Sequence, residues 1–235
     1  MFWDMPSGGS SASVTEAGFA RQRADMVEAQ LRKRGVRDQR VLEAMLAVPR
    51  HEFIAPQHRA HAYEDRPVPI GAGQTISQPY MVAVMTEALE LAAWHKVLEV
   101  GTGSGYQSAV LAKLAARVHT IEREPELLEN ARRTFQRLAR GGFPEADRVE
   151  FLQGDGTEGY APAAPYDAIL VAAGAPSVPP SLVGQLAEGG RLVVPVGDRH
   201  NQELLMLHKR LGQLTTRTIN ECRFVPLVGK EGWKD

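Results

Sequence analysis

Residues 97–105 read Val-Leu-Glu-Val-Gly-Thr-Gly-Ser-Gly, an apolar run that breaks into glycine at every second position. Glycine lets a backbone turn with positive φ and approach a ligand closely, and a helix that follows presents free N–H groups. The segment Gly101-Thr102-Gly103-Ser104-Gly105 is therefore suited to a nucleotide-like cofactor. A dinucleotide fingerprint needs its third glycine one residue later, where this chain has Tyr106. The spacing disfavours NAD and favours S-adenosyl-L-methionine. Three acids stand where that cofactor needs them. Glu99, just before the loop, is a candidate for the amino or carboxylate end of a methionine moiety, through water or backbone. Glu122 closes the next apolar run, Val118 to Glu122, where ribose hydroxyls are accepted in doubly wound nucleotide sites. Asp155, in Gly154-Asp155-Gly156, offers a carboxylate to an adenine amino group, with Gly156 beside it. A glycine loop alone is often only a tight turn, and a lone acid at a strand end is usually solvated; order and spacing together carry the assignment.

These residues need a frame that brings strand ends together. From residue 97 the pattern alternates strand and helix: strands near 97–100, 118–122 and 148–152, helices near 104–116 and 125–140, the latter opening on Pro125. Asp167 to Ala172 and Arg191 to Val196 add two buried strands, joined through a helix near Pro180 to Ala187. The expected fold is α/β, a doubly wound and mostly parallel Rossmann-like sheet. Glu203 to His208 and Leu214 to Phe224 alternate as an antiparallel pair at one edge. Ahead of the core, Phe19, Met26, Val27 and Leu31 recur at helical spacing before Gly35, and Asp38 can cap a second helix that ends at Val48-Pro49. These two helices are expected to form a cap on the substrate side. Ala62 to Pro79 reads as a loop, with a helix from about Pro79 to Leu91. Residues 15–235 thus read as one domain, with 15–80 as cap and loop and 81–235 as core. Residues 1–14, rich in Ser and Gly, are expected to be disordered, and Phe2 and Trp3 have no evident role there.

Bulk properties exclude several classes. Twenty-seven Lys and Arg against 28 Asp and Glu give a net charge of −1, so no basic excess exists to neutralise nucleic-acid phosphates. A single cysteine, Cys222, rules out an internal disulfide and fits a reducing compartment. The chain shows no apolar run of membrane-spanning length and no secretory signal pattern, so a cytoplasmic protein is expected, with no membrane partner. The seven histidines lack ligand spacing, and no metal is expected. Arg132, Arg133, Arg137 and Arg140 line one helix face, which ordinarily means a solvated surface.

One segment narrows the substrate. Gly73-Gln74-Thr75-Ile76-Ser77-Gln78-Pro79-Tyr80-Met81 resembles the protein-L-isoaspartate O-methyltransferase family, as do Val48-Pro49-Arg50, Val97 to Tyr106, Gly154-Asp155-Gly156, Pro165 to Ile169, Gly189 to Leu192 and Val225-Pro226-Leu227. The resemblance spans roughly residues 20–233. It implies methyl transfer from S-adenosyl-L-methionine to the free carboxylate of L-isoaspartyl residues in damaged proteins and peptides, leaving S-adenosyl-L-homocysteine and starting repair through a succinimide. It further implies Ser77 as the active-site serine, which orients the accepting carboxylate, Thr75 and Ile76 as cofactor neighbours along with Ser77, and Val225 in a segment that holds the substrate peptide extended. A bland reading of Ser77 is that it only caps the next helix. Val228 stands where some members have a polar cofactor contact, and its side chain cannot make one. A monomer is expected. Two rivals stay open: a methyltransferase acting on RNA or a small molecule, and a noncatalytic adaptor. The residues after the Asp167 strand, Ala172-Ala173-Gly174-Ala175-Pro176, contain no base-binding motif of the kind the first needs. The intact glycines, Glu122 and Ser77 speak against the second.

Overall fold

The computed structural model describes residues 15–234; the expectations for residues 1–14 lie outside the described part. The chain opens with α1 (Glu16–Met26), capped by Thr15, and runs on through a π turn (Val27–Leu31) and a 3₁₀ turn (Arg32–Arg34) to Gly35 at φ 103°. Asp38 accepts a bond from the Arg40 N–H and starts α2 (Gln39–Ala47), which stops at extended Val48. A short hairpin follows, β1 (Val68–Gly71) and β2 (Gln74–Ile76). This corrects the expectation of loop through residues 62–79: Gly71 pairs with Gln74, Ala72 and Gly73, at φ 48° and 69°, make the two-residue turn, and Thr75-Ile76 lie on a paired strand.

The core then alternates: α3 (Pro79–Ala88), β3 (Lys96–Val100), α4 (Tyr106–Leu114), β4 (Arg117–Glu122), α5 (Pro125–Arg140), β5 (Val149–Gln153), β6 (Tyr166–Val171), α6 (Pro180–Gly184), β7 (Leu186–Gly197), β8 (Gln202–Arg210) and β9 (Gln213–Cys222). Helix α6 is shorter than expected, because β7 begins at Leu186 and passes through Gly189 and Gly190 with a shift of register against β6. The strands order as β5-β4-β3-β6-β7-β8-β9, parallel through β7 and antiparallel across the last two pairs. The order reverses beside β3, the position at which open α/β sheets bind ligands outside their carboxyl ends.

Alternation of side chains covers both faces. Val97, Ala168, Leu170 and Val193 pack with α4, α5 and the whole cap, including Phe19, Met26, Leu42 and Met45. Leu98, Val100, Ile169, Val171, Leu192 and Val194 pack on the other face with Leu182 of α6. The cap therefore shares the core of the sheet. Among the described residues no helix is long and apolar enough to cross a membrane. Leu98 is fully buried in β3, between β4 and β6. Leu98→Ala should lower stability by roughly 2–5 kcal/mol, read as a lower urea midpoint with an unchanged slope.

Candidate active site

A cleft opens at the carboxyl ends of β3, β4 and β6, walled by Gln74 to Ser77, Val100 to Ser104, Tyr106 and Gln107, Ile121 to Glu124, Gly156, Ala172 and Ala173, and Val225 to Val228. Its floor is the glycine loop. Gly101, Gly103 and Gly105 all take positive φ, at 92°, 52° and 86°. Glu122 holds the loop in place: one carboxylate oxygen accepts from the Gly103 N–H at 2.8 Å, the other from the Arg123 and Glu124 N–H groups at 2.9 and 3.1 Å. A carboxylate offers about four lone-pair positions. Three donors leave room for one more on the oxygen that faces the loop, enough to accept a ribose hydroxyl. Thr102 is tied below to Thr120, hydroxyl to hydroxyl, at 2.7 Å. A Cβ on Gly156 would collide with Val100 Cγ1, so only glycine lets this wall close on a flat ring. The cradle fits S-adenosyl-L-methionine: close backbone, one acid for the ribose, and apolar walls from Ile76, Val100, Ile121 and Leu227.

Ten of the thirteen residues singled out from sequence reach the cleft: Thr75, Ile76, Ser77, Gly101, Thr102, Gly103, Ser104, Glu122, Gly156 and Val225. Three expected cofactor residues do not line it. Gly105 starts α4, and its space is taken up by packing, since a Cβ there would lie 3.1 Å from Phe135. Glu99 is turned under the sheet, fully buried, and accepts from the Ser108 hydroxyl. Burial pushes its carboxyl up to about 8, against the opposing bonds from Ser108 and Thr120. Asp155 accepts from the Thr157 N–H and hydroxyl at 2.9 and 2.7 Å and from the Lys230 N–H at 2.7 Å. Burial disfavours its ionised form, yet these bonds outweigh it and hold the acid below its ordinary range. Its carboxylate fastens the C-terminal segment, and the adjacent Gly156 lines the cleft wall.

That segment forms a strap. The Val225 carbonyl accepts from the Gly174 N–H at 2.7 Å, and the Leu227 N–H donates to the Gly174 carbonyl at 2.8 Å. Gly229 lies against Asp155 with no room for a Cβ. The Glu231 carboxylate accepts from the Ser181 N–H and hydroxyl at 2.9 and 2.7 Å, and the Trp233 indole N–H donates to the Gly174 carbonyl at 3.0 Å. Val228 lines the cleft through shape alone. Gln107 and Ala172 also escaped sequence reading; their places, two residues beyond the glycine loop and one beyond the end of β6, are the signal that marks them.

Ser77, also on the cleft, is half-buried, and its hydroxyl bonds no protein group among the described residues. The helix-cap alternative fails on geometry. Gln78 occupies the N-cap of α3 without a side-chain bond, and the Asp65 carboxylate accepts from the Tyr80 N–H at 3.1 Å instead. The Ser77 carbonyl accepts from Arg50 at 2.8 Å. Arg50 is fully buried, and desolvation pulls its guanidinium down to about 10, leaving it charged at neutral pH. Of the basic face on α5, Arg132 donates to the Phe151 carbonyl, Arg133 to Asn130, and Arg137 to Glu52.

The model of the family described as protein-L-isoaspartate(D-aspartate) O-methyltransferase matches residues 21–232. The chain belongs to this family. The protein-L-isoaspartate O-methyltransferase of Methanoculleus marisnigri is 53% identical over 214 residues, 91% of this chain and 94% of that one. That of Geobacter metallireducens is 54% identical over 216 residues, 92% and 96% of the two chains. A Plasmodium falciparum structure described as a protein-L-isoaspartate O-methyltransferase, solved with S-adenosyl-L-homocysteine, superposes at a TM-score of 0.76 with 28% identity, covering 88% of this chain and 98% of that one. The isoaspartyl methyltransferase family thus accounts for cap, hairpin, sheet and strap together.

Two measurements follow from the site. Replacing Glu122 by Gln puts an amide nitrogen where backbone N–H groups point, at a cost of about 1–3 kcal/mol; calorimetric titration with S-adenosyl-L-homocysteine should show an affinity lower by roughly tenfold or more. Glu99, raised from 4.5 to about 8, binds its proton more tightly folded than unfolded. Stability therefore falls as pH rises between these values and levels off above them. Glu99→Gln removes this loss, so urea titrations at several pH values should show the variant gaining on the wild type up to about pH 8; a constant gap would mean that Glu99 is ionised throughout.

Proposed function

We propose that this chain is a protein-L-isoaspartate O-methyltransferase. It transfers the methyl group of S-adenosyl-L-methionine to the free carboxylate of an L-isoaspartyl residue in a damaged protein or peptide. The observation that carries this is the family match across residues 21–232, on a cleft that has the glycine loop and Glu122 at one end and the unpartnered Ser77 hydroxyl at the other. The bound cofactor supplies a methyl group already activated on a sulfonium. The acceptor is already ionised near neutral pH, so the chain needs neither a strong base nor a metal. Its task is placement and exclusion of water. Glu122 and the loop fix the ribose end, Thr75 and Ile76 wall the middle, and Gly156 meets the adenine side. Ser77 donates its hydroxyl hydrogen to one oxygen of the acceptor, which aims the other oxygen at the methyl group.

Val225 borders the acceptor end, and since its carbonyl is taken by Gly174, we assign it the packing of an extended peptide rather than a backbone bond from that oxygen. The ester so formed closes to a succinimide without further help from the protein, and hydrolysis of the ring returns part of the material to normal aspartate. The lone Cys222 supports a reducing, cytoplasmic setting, and a cleft completed by segments of one chain supports a monomer. The three α5 arginines engaged with protein partners weaken the RNA alternative.

The test is transfer of labelled methyl from S-adenosyl-L-methionine to paired peptides that differ only in isoaspartate or aspartate. Base-labile label on the isoaspartyl peptide alone is expected; label on neither, with cofactor bound, would sink the assignment. Ser77→Ala should keep cofactor affinity and lose roughly 10- to 100-fold in turnover, matching one hydrogen bond to a charged group.

A further inference from the structure

A guanidinium buried without a carboxylate is costly, by several kcal/mol for an unpaired ion, and the structure places one directly behind the acceptor site. Arg50 lies on a 3₁₀ turn, Arg50–Phe53, and is fully buried. Among the described residues it forms no ion pair. Its Nε donates to the Ala62 carbonyl at 2.7 Å and its Nη2 to the Ser77 carbonyl at 2.8 Å, while Nη1 has no partner. The Tyr106 ring, which walls the cleft, lies 4.8 Å from the guanidinium carbon. Two rigid donors of one fork thus join the cap to Ser77, the first of the two residues between the hairpin and α3. On either side of Ser77 the chain is already held: Ile76 pairs with Val68, and Asp65 holds the Tyr80 N–H. Gln78, ahead of Pro79, is extended. The Ser77 peptide group is the free joint in this stretch, and Arg50 is what fixes it.

We propose that Arg50 is a positioning residue for methyl transfer: by gripping the Ser77 carbonyl it sets the direction in which the Ser77 hydroxyl meets the acceptor carboxylate. This rests on the reading of Ser77 given above. Lysine keeps the charge but has no planar fork and cannot hold both carbonyls in one geometry. Arg148, which donates to the carbonyls of Ala112 and Ala115 away from the cleft, is the matching structural arginine.

The experiment is a double-mutant cycle of Arg50→Lys and Ser77→Ala on the whole chain, with kcat and KM for an isoaspartyl peptide, Kd for S-adenosyl-L-homocysteine and urea stability measured for each, and Arg148→Lys as control. Arg50→Lys is expected to lower kcat by about tenfold or more and to change the Kd by less than about twofold. In the Ser77→Ala background the same change should cost less than about threefold, because no hydroxyl is left to aim. Arg148→Lys should lose stability and keep kcat. The proposal is overturned if Arg50→Lys leaves kcat unchanged, costs the same factor in both backgrounds, weakens cofactor binding in step with kcat, or is matched in kcat by Arg148→Lys. If Arg50→Lys does not fold, Arg50→Gln, which removes the buried charge, goes through the same cycle. Full turnover by Ser77→Ala alone would overturn the Ser77 assignment and this proposal with it, whereas a wild type that labels neither peptide would overturn the isoaspartyl function itself.

Discussion

The carboxylate of Glu122 sits at the tip of β4 with three backbone N–H groups pointing at it, one of them from the middle of the glycine loop on the neighbouring strand. This single charge ties the ends of two parallel strands and so fixes the path by which the chain leaves β3 and enters α4. The loop's three left-handed glycines lose much freedom on folding, and Glu122 acts together with the Gly101 and Thr102 N–H groups, which donate to the Ile121 carbonyl, to offset that loss. Thr102 and Thr120 add a second tie below it. Ser77 is positioned relative to this point, since Tyr106, the first residue of α4, lies against Arg50 and Arg50 holds the Ser77 carbonyl.

The C-terminal strap depends on the same strand ends. It crosses from Val225 to Trp233 over the loops after β5 and β6, and its anchors are Gly174, Asp155, Thr157 and Ser181. One piece of chain, Val225 to Val228, thus lines the cleft along its length.

Much of this was legible in the sequence because it follows from local rules. The period-two strands, the glycine loop, Pro125 at the start of α5 and the Asp38 cap each announce themselves within a few residues. What escaped depends on partners distant in the chain. The tie of the Asp155 carboxylate to the Lys230 N–H runs across 75 residues, and nothing near Asp155 in the chain announces it. Glu99 looked accessible from its place before the loop, but side-chain alternation in β3 sends it beneath α4 to Ser108. The α3 cap comes from Asp65, fifteen residues from Tyr80, and no capping pattern reaches that far. Ser77, by contrast, was singled out through the family resemblance of the stretch that holds Thr75 and Ile76, and no protein group among the described residues bonds its hydroxyl.

The depth at which Glu122 is set has a consequence for ionic strength. Salt weakens interactions between exposed charges over about 8–10 Å but hardly touches buried ones. The Lys230–Glu158 pair, with both side chains largely exposed, belongs to the first kind. Glu122, only 7% exposed and held by peptide N–H groups rather than by a mobile cation, belongs to the second. The cradle is thus insulated from its electrolyte: salt can loosen the protein's outer ion pairs while the shape that receives the cofactor stays as it is.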